Sequence, residues 1–316
     1  MEYAVPKPIL AVSLNSAWQK TLSFKSLEVG GVNRAVECHE AGGGKGVNVA
    51  RVLCRRKQPV ALAAFIGGYT GDCLRNELRT TGVRELLVEC RGVTRCCYTV
   101  IDSEHGNATE LIEPSAEISS DETMSMMKLL EETMGEFSSA ALCGSLPQGV
   151  PKDIYAKIVS MAQKNNVPVV LDAIVGIEAV LSVGVTLLKI NHAELCQLAE
   201  GNDMATRADA LLSRYPRLKW LAVTDGSEPA GFFSRNAAWS LKLPRLERIV
   251  SPIGGGDCAT AIMTEFIAAG ALADEAAANA FAHACACASA SCLTNTPSVF
   301  DPAVADKLLP VVKREK

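Results

Sequence analysis

Pro252-Ile-Gly-Gly-Gly-Asp257 ends in a carboxylate and runs straight into a helical pattern, with Ala259, Ile262, Met263, Phe266 and Ile267 at i, i+3, i+4, i+7 and i+8. Three glycines let the chain turn tightly and let a ligand approach the backbone without Cβ interference. The first turn of the following helix offers unpaired N–H groups and the positive end of its dipole. Gly254, Gly255 and Gly256 therefore read as an anion site with Asp257 at its mouth, able to hold a hydroxyl at the carboxylate and a phosphoryl group at the amides. The plainer reading is a flexible connection with Asp257 as an ordinary N-cap. The rest of the chain decides between the two.

The 316 residues are 48% hydrophobic, enough to bury a large core, and short β-rich runs alternate with helical patterns. A net charge of −4 with scattered Lys and Arg leaves no basic footprint for nucleic acid and favours a small polar substrate. No apolar run reaches the length of a membrane helix, and the N-terminal stretch lacks the features of a signal peptide, so a cytoplasmic protein is expected. Twelve cysteines are spread along the chain without a C-x-x-C pair beside only four histidines, which argues against structural zinc. Cys285, Cys287 and Cys292, in an Ala-rich run, read as small buried hydrophobes of a close-packed helix.

Ile9 to Leu14 reads as a buried first strand, followed by a polar crossing, Asn15 to Thr21, just past its end, where α/β proteins bind ligands. Residues 32–38, 95–101 and 108–112 alternate like strands of a separate, half-exposed sheet that would form a flap, the last two joined by a turn at Ser103 to Asn107. Between them Ala41-Gly-Gly-Gly-Lys-Gly-Val-Asn48 enters a second helix. It is neither a Walker A loop, since Gly46 follows Lys45, nor a dinucleotide fingerprint, since Val47 stands where a glycine is needed. It is either a backbone surface for a hydroxyl-rich ligand, with Lys45 and Asn48 adding side-chain bonds, or a plain helix-entry loop. Apolar runs at 60–66, 139–145, 167–173, 185–191 and 218–225, with helical patterns at 121–134, 151–164, 192–200 and 203–214, predict a mostly parallel sheet covered on both faces.

The early GGGKGVNVAR and late GGGD motifs resemble the two signatures of the PfkB, or ribokinase-like, carbohydrate kinases. Within that family the likeness is to the 1-phosphofructokinase and tagatose-6-phosphate kinase branch. It runs in order through LN-x-A near the N-terminus, VNR at 32–34, GGY-x-G at 67–71, TR at 94–95, GSLP-x-GVP at 144–151, LD at 171–172 and K-x-N-x-x-EL at 189–195. The resemblance implies one domain over residues 1–316, a three-layer α/β/α sandwich with a small β-sheet lid inserted from about 15–39 and 93–113, and a homodimer through that lid. Asp257 would be the catalytic base and Gly254 to Gly256 its anion hole. Asn15, Gln19, Gly43, Gly44, Lys45 and Asn48 would meet the sugar, with Arg95 and Ser145 near its phosphate. Lys189, Asn191 and Glu194 would lie by the phosphates of ATP, Glu194 reaching Mg²⁺ through water, and Thr224 and Gly226 would line the nucleotide.

The expected activity is ATP-dependent phosphorylation of a primary hydroxyl of a ketohexose phosphate, fructose 1-phosphate first, because the Arg95 fork suits a phosphate. An unphosphorylated sugar as substrate, or a catalytically silent sensor of sugar phosphate or nucleotide, are the alternatives. The chain departs from the family pattern at Ser16, Gln19, Pro229-Ala230, Gly255 and Cys258. Gln19 in place of an aspartate bears on which sugar is held, and Pro229 on the shape of the nucleotide pocket.

Overall fold

The first strand shows why the chain forms a layered sheet. In β1 (Ile9–Ser13) Leu10 and Val12 enter one hydrophobic core while Ile9 and Ala11 enter another, so the strand is buried on both faces and must be covered on both. The computed structural model describes residues 6–251, 253–270, 272–294 and 296–315, and Pro252 lies outside them. β2 (Ala17–Phe24) and β3 (Glu37–Gly43) lead to α1 (Lys45–Arg55), followed by β4 (Val60–Ile66), α2 (Gly68–Thr81) and β5 (Arg84–Glu89). A hairpin of β6 (Cys96–Asp102) and β7 (Asn107–Ile112) precedes α3 (Ser120–Thr133), β8 (Ser139–Cys143), α4 (Ile154–Lys164) and β9 (Val169–Asp172). Then come α5 (Ile177–Val183), β10 (Leu187–Asn191), α6 (His192–Leu198), α7 (Met204–Arg214), β11 (Trp220–Asp225), β12 (Glu228–Phe233) and β13 (Ala238–Lys242). The chain closes with α8 (Gly255–Ala268), α9 (Asp274–Ser291), α10 (Pro302–Lys307) and β14 (Val311–Glu315).

The main sheet has the order β14-β13-β12-β11-β10-β9-β8-β1-β4-β5. From β11 to β5 every pair is parallel, and β12 to β14 extend it as antiparallel strands. Helices α3 to α7 pack on one face around Met126, Tyr155, Ile158, Val180 and Leu211. Helices α1, α2, α8 and α9 pack on the other around Leu53, Leu74, Met263 and Phe281. The result is the expected three-layer α/β/α sandwich with a mostly parallel sheet. Ala259, Ile262, Met263 and Ile267 are buried, but so are Cys258, Thr260, Ala261 and Thr264, because α8 is wedged between the sheet, α1 and α9 rather than lying on the surface. Cys285 and Cys287 are buried in α9, and every cysteine among the described residues is a free thiol.

A separate small sheet runs β3-β2-β6-β7. Its strands differ from the sequence reading in two places. Most of the stretch Asn15 to Thr21, read as a polar crossing, belongs to β2 (Ala17–Phe24), which pairs antiparallel with β3 and parallel with β6. Residues 32–36 are loop, and the strand is instead Glu37–Gly43, running into the glycine loop itself. The register pairs Gln19 with Ala41 and Ala17 with Gly43, so the sheet aims that loop back at the end of β1.

Helix α1 sits unusually close to β1. A Cβ added at Gly46 would come within 2.7 Å of both Ser13 Cβ and the Val12 carbonyl oxygen. Gly46→Ala should therefore lower stability by about 1–3 kcal/mol, overpacking outweighing the ~1 kcal/mol gain in helix propensity, seen as a lower urea midpoint at unchanged slope.

Candidate active site

Parallel strands end on one edge of the main sheet, and the loops beyond β1, β8, β9, β10 and β11 converge there. Two glycine turns face that edge. Gly44 (φ 103°) starts α1 and Gly254 (φ 81°) starts α8, both in conformations that side chains rarely adopt. A Cβ on Gly254 would lie 2.4 Å from Ser298 Oγ, and one on Gly256 would lie 2.6 Å from Lys189 Nζ. At Gly255 the nearest atom would be 3.5 Å away, so the alanine usual at that position would fit and glycine there is not a steric demand.

Asp257, in the first turn of α8, is 7% exposed and accepts a hydrogen bond from Asn48 Nδ2 (2.7 Å). Behind it lies a second carboxylate, Asp172 at the end of β9, fully buried. Asp172 Oδ1 accepts from Lys45 Nζ (2.7 Å), and Oδ2 accepts from Lys189 Nζ (3.2 Å) and Thr260 Oγ1 (2.6 Å). Burial alone would push Asp172 up, but the Lys189 and Lys45 ammonium groups overcome it and hold the carboxyl at about 2. Burial likewise works against the charge of Lys45, and Asp172 outweighs it, keeping the ammonium above its usual range. Asp257 goes the other way. Burial, and then the Asp172 charge, push it up to about 6 against the pull of Asn48, Lys189 and Lys45. Two carboxylates in one site are thus driven apart, one a fixed anion and the other a proton acceptor that titrates near neutrality.

Two cavities lie near Asp257, one lined by its partner Asn48 and the other by its neighbours Gly255 and Gly256. A cavity of about 100 Å³ is lined by Gln19, Gly43, Gly44, Asn48 and Arg51. One of about 740 Å³ is lined by Thr224, Gly226, Arg245, Gly255, Gly256 and Ser289. A third, narrow space of about 30 Å³ holds Asn15 and Arg95 with Gly67 and Thr94. There Asn15 Nδ2 donates to Ser145 Oγ (3.0 Å), Arg95 Nη2 donates to the Asn15 carbonyl (3.2 Å), and the buried Arg95 Nε has no partner among the described residues. Gln19 Nε2 donates to Thr99 Oγ1 across the small sheet (2.8 Å).

The structure thus brings Lys45, Asn48, Lys189 and Asp257 into one charged cluster. Thr224, Gly226 and the α8 glycines meet in the large cavity, and Gln19, Gly43 and Gly44 in the small one. Asn191 and Glu194 have a structural duty besides any other. Asn191 Oδ1 accepts from the Glu194 amide and Glu194 Oε2 from the Asn191 amide, both at 2.8 Å, a reciprocal cap on α6 that leaves Glu194 Oε1 3.8 Å from Lys45 Nζ. Sequence reading passed over Asp172, quoted only within a two-residue motif, although a carboxylate closing the apolar run Val169-Val-Leu-Asp172 is itself a signal. Arg51 entered only as the last residue of the GGGKGVNVAR motif, and Glu77 and Thr260, which carry no local pattern, were passed over.

A scan against family models matches residues 13–299 to the pfkB family carbohydrate kinases. The chain belongs to that family. Among solved structures, Escherichia coli phosphofructokinase-2 in complex with substrates and products superposes with a TM-score of 0.84 at 23% identity, covering 96% of this chain and 98% of the other. A protein described as a possible 1-phosphofructokinase from Thermotoga maritima gives 0.82 at 21% identity, covering 98% and 99%. Arabidopsis thaliana ribokinase complexed with ribose and ATP gives 0.71 at 19%, covering 96% and 99%. At these identities the structures establish the shared fold. The family makes the chain a carbohydrate kinase with ATP as co-substrate. Among the described residues no helix of this kinase is long and apolar enough to cross a membrane.

The raised Asp257 carboxyl has a stability consequence. The proton is held more tightly in the folded kinase than in the unfolded chain, so the stability it brings is full below about pH 4 and lost as pH rises through about 6. Asp257→Asn should stabilise the protein by about 1–3 kcal/mol at pH 8 and by clearly less at pH 5, measured by urea unfolding at both pH values.

Proposed function

We propose that the protein transfers the γ-phosphoryl group of ATP to a primary hydroxyl of a ketohexose phosphate, fructose 1-phosphate being the first substrate to test. The observation that carries the reading is Asp257 in the first turn of α8, its hydrogen-bond partner Asn48 lining the smaller cavity and its neighbours Gly255 and Gly256 the larger, with its carboxyl pushed up to about 6. In this scheme the sugar occupies the smaller cavity against Gly43, Gly44 and Asn48. Asp257 takes the proton as the hydroxyl oxygen bonds to phosphorus, and the bond to the ADP oxygen breaks. The amides of Gly255, Gly256 and Asp257, at the positive end of α8, balance the charge on the transferring group. Lys45 and Lys189 add positive charge on the same side. Thr224 and Gly226 line the nucleotide in the larger cavity.

Arg95 supports a phosphorylated substrate. It donates to the Asn15 and Glu113 carbonyls while its buried Nε has no partner among the described residues, and a phosphate is an acceptor that a guanidinium fork fits. Gln19 supports a neutral sugar hydroxyl as its neighbour. With its NH₂ donating to Thr99, its carbonyl oxygen remains as an acceptor, a weaker version of the family's carboxylate. For Mg²⁺, no group of three or more His, Cys, Asp or Glu side chains is placed to hold a metal among the described residues. That suits an ion carried by ATP phosphates and reached by Glu194 through water, where it would neutralise phosphate charge. The activity is proposed to be cytoplasmic.

Turnover should be read as ADP release with fructose, fructose 1-phosphate, fructose 6-phosphate and tagatose 6-phosphate. Fructose 1-phosphate should give the highest kcat/KM, and a response to neutral sugar alone would sink the role of Arg95. Asp257→Ala should lower kcat by ~10²-fold or more with nucleotide affinity retained. In the same assay Gln19→Asp should lower KM for the preferred sugar by roughly 5- to 30-fold, as one charge-assisted bond is restored.

The small sheet carries the proposal of a homodimer. Val29, Val32 and Val36 in its connecting loop are exposed at 95%, 84% and 62%, and Leu111 and Ile112 of β7 are exposed beside an open strand edge. Light scattering at micromolar concentration should give twice the 33.5 kDa chain mass, and a monomer with and without ligand would count against it.

A further inference from the structure

One polar network beside the site is used by none of the roles above. Arg51 lies one helical turn beyond Asn48 on α1, only 11% exposed at its side chain, and is paired with Glu77 of α2. Its Nη1 donates to Asn48 Oδ1 (2.6 Å), while its Nη2 donates to Glu77 Oε1 (2.8 Å) and to the Gly42 carbonyl. Glu77 Oε2 accepts from the Gly42 amide, so this carboxylate holds both the guanidinium and the glycine loop.

An arginine has donors only. The Asn48 atom that meets it must therefore be the carbonyl oxygen, and the amide nitrogen is left on the opposite side, 2.7 Å from Asp257 Oδ2. With the amide turned over, two donors would face each other at Arg51 and two acceptors at Asp257. We propose that Arg51, braced by Glu77, is a positioning residue for the proton acceptor: it fixes the Asn48 amide with its NH₂ toward Asp257. The proposal rests on the reading of Asp257 as the base. Its consequence is that the ionised carboxylate always has a donor, while the same arginine and glutamate hold Gly42 at the entrance to the sugar loop. Neither Arg51 nor Glu77 lies close enough to Asp257 to bond it, so their influence on it runs through Asn48.

The other groups around Asp257 are Lys45 on α1, Asp172 on β9 and Lys189 on β10, together with the thiols of Cys143 and Cys258, which burial pushes up and keeps neutral. None of them touches Arg51 through a hydrogen bond, so an Arg51 substitution leaves their contacts in place. A direct charge effect of Arg51 on Asp257 is separable because it would persist without Asn48.

The test is the titration of the Asp257 carboxyl, followed by ¹³C NMR of the full chain labelled at Asp, with the signal assigned by its loss in Asp257→Asn. Arg51→Met should move the midpoint up by on the order of 0.5–1 pH unit, and Arg51→Lys by less. In an Asn48→Ala background neither substitution should move it further. The acid limb of kcat/KM for ATP and fructose 1-phosphate should shift in parallel, any titration of the substrates being common to all variants. Should Arg51→Met fail to fold, Arg51→Lys, which keeps the charge opposite Glu77, carries the comparison. An unchanged midpoint in the folded variants, or an equal shift in the Asn48→Ala background, overturns the proposal. Turnover surviving in Asp257→Ala would instead remove the base reading and leave the NMR result standing as a statement about Asn48.

Discussion

A carboxylate buried without partners is among the most costly groups a fold can hold, and Asp172 is fully buried at the end of β9. Its partners come from three other elements, Lys45 from α1, Lys189 from β10 and Thr260 from α8. Removing either lysine takes away one of its two counter-charges, and removing Thr260 a hydrogen bond, so the helices that carry the two glycine turns are tied to the sheet through this one group. The tie also sets the electrostatics. Burial, reinforced by the charge of the ionised Asp172, pushes the carboxyl of Asp257 up to about 6 and makes it the group able to take a proton. Structure and reactivity follow from the same five side chains.

The glycines are read differently once the neighbours are known. Gly256 is needed because the Lys189 ammonium occupies the space a side chain would take, and Gly254 because Ser298 closes over a left-handed turn. Gly255 has room for a methyl group, which accounts for an alanine being equally serviceable in the family's pattern. Close approach of backbone to its neighbours at Gly254 and Gly256, rather than flexibility, is what the motif provides. The same holds at Gly46, where the first turn of α1 lies directly on β1 and so delivers Lys45 and Asn48 to the end of the sheet.

The antiparallel extension has its own logic. Phe232 packs against Trp220, Trp239 and Phe281, with ring centroids 5.8 to 6.0 Å apart, which fixes β11 to β13 against α9. That anchor holds the wall of the large cavity, where Thr224 and Gly226 face Ser289 of α9. The Trp220 indole N–H and Ser234 hydroxyl both donate to Asp274 at the start of α9, so the aromatic cluster ends in satisfied polar groups.

How much of this was legible in the chain depends on whether the cue was local. The apolar runs of β1, β4, β8, β9, β10 and β11 stood out because both their faces are buried, and the two glycine motifs stood out because tight turns into helices leave a compositional mark. These determined the sandwich and the positions of Asp257, Lys45 and Asn48. β3 was displaced because Glu37, Cys38, His39 and Glu40 are all exposed and show no burial pattern, and β2 because its partly covered faces mix Trp18 and Leu22 with Gln19, Lys20 and Thr21. Only the tertiary structure decided that Asp172 has two lysine partners, and that Arg51 meets Glu77 from 26 residues away. Burial repeats along a strand or helix and so leaves a period in the sequence, whereas charge pairing depends on separation in space, which the chain order does not encode.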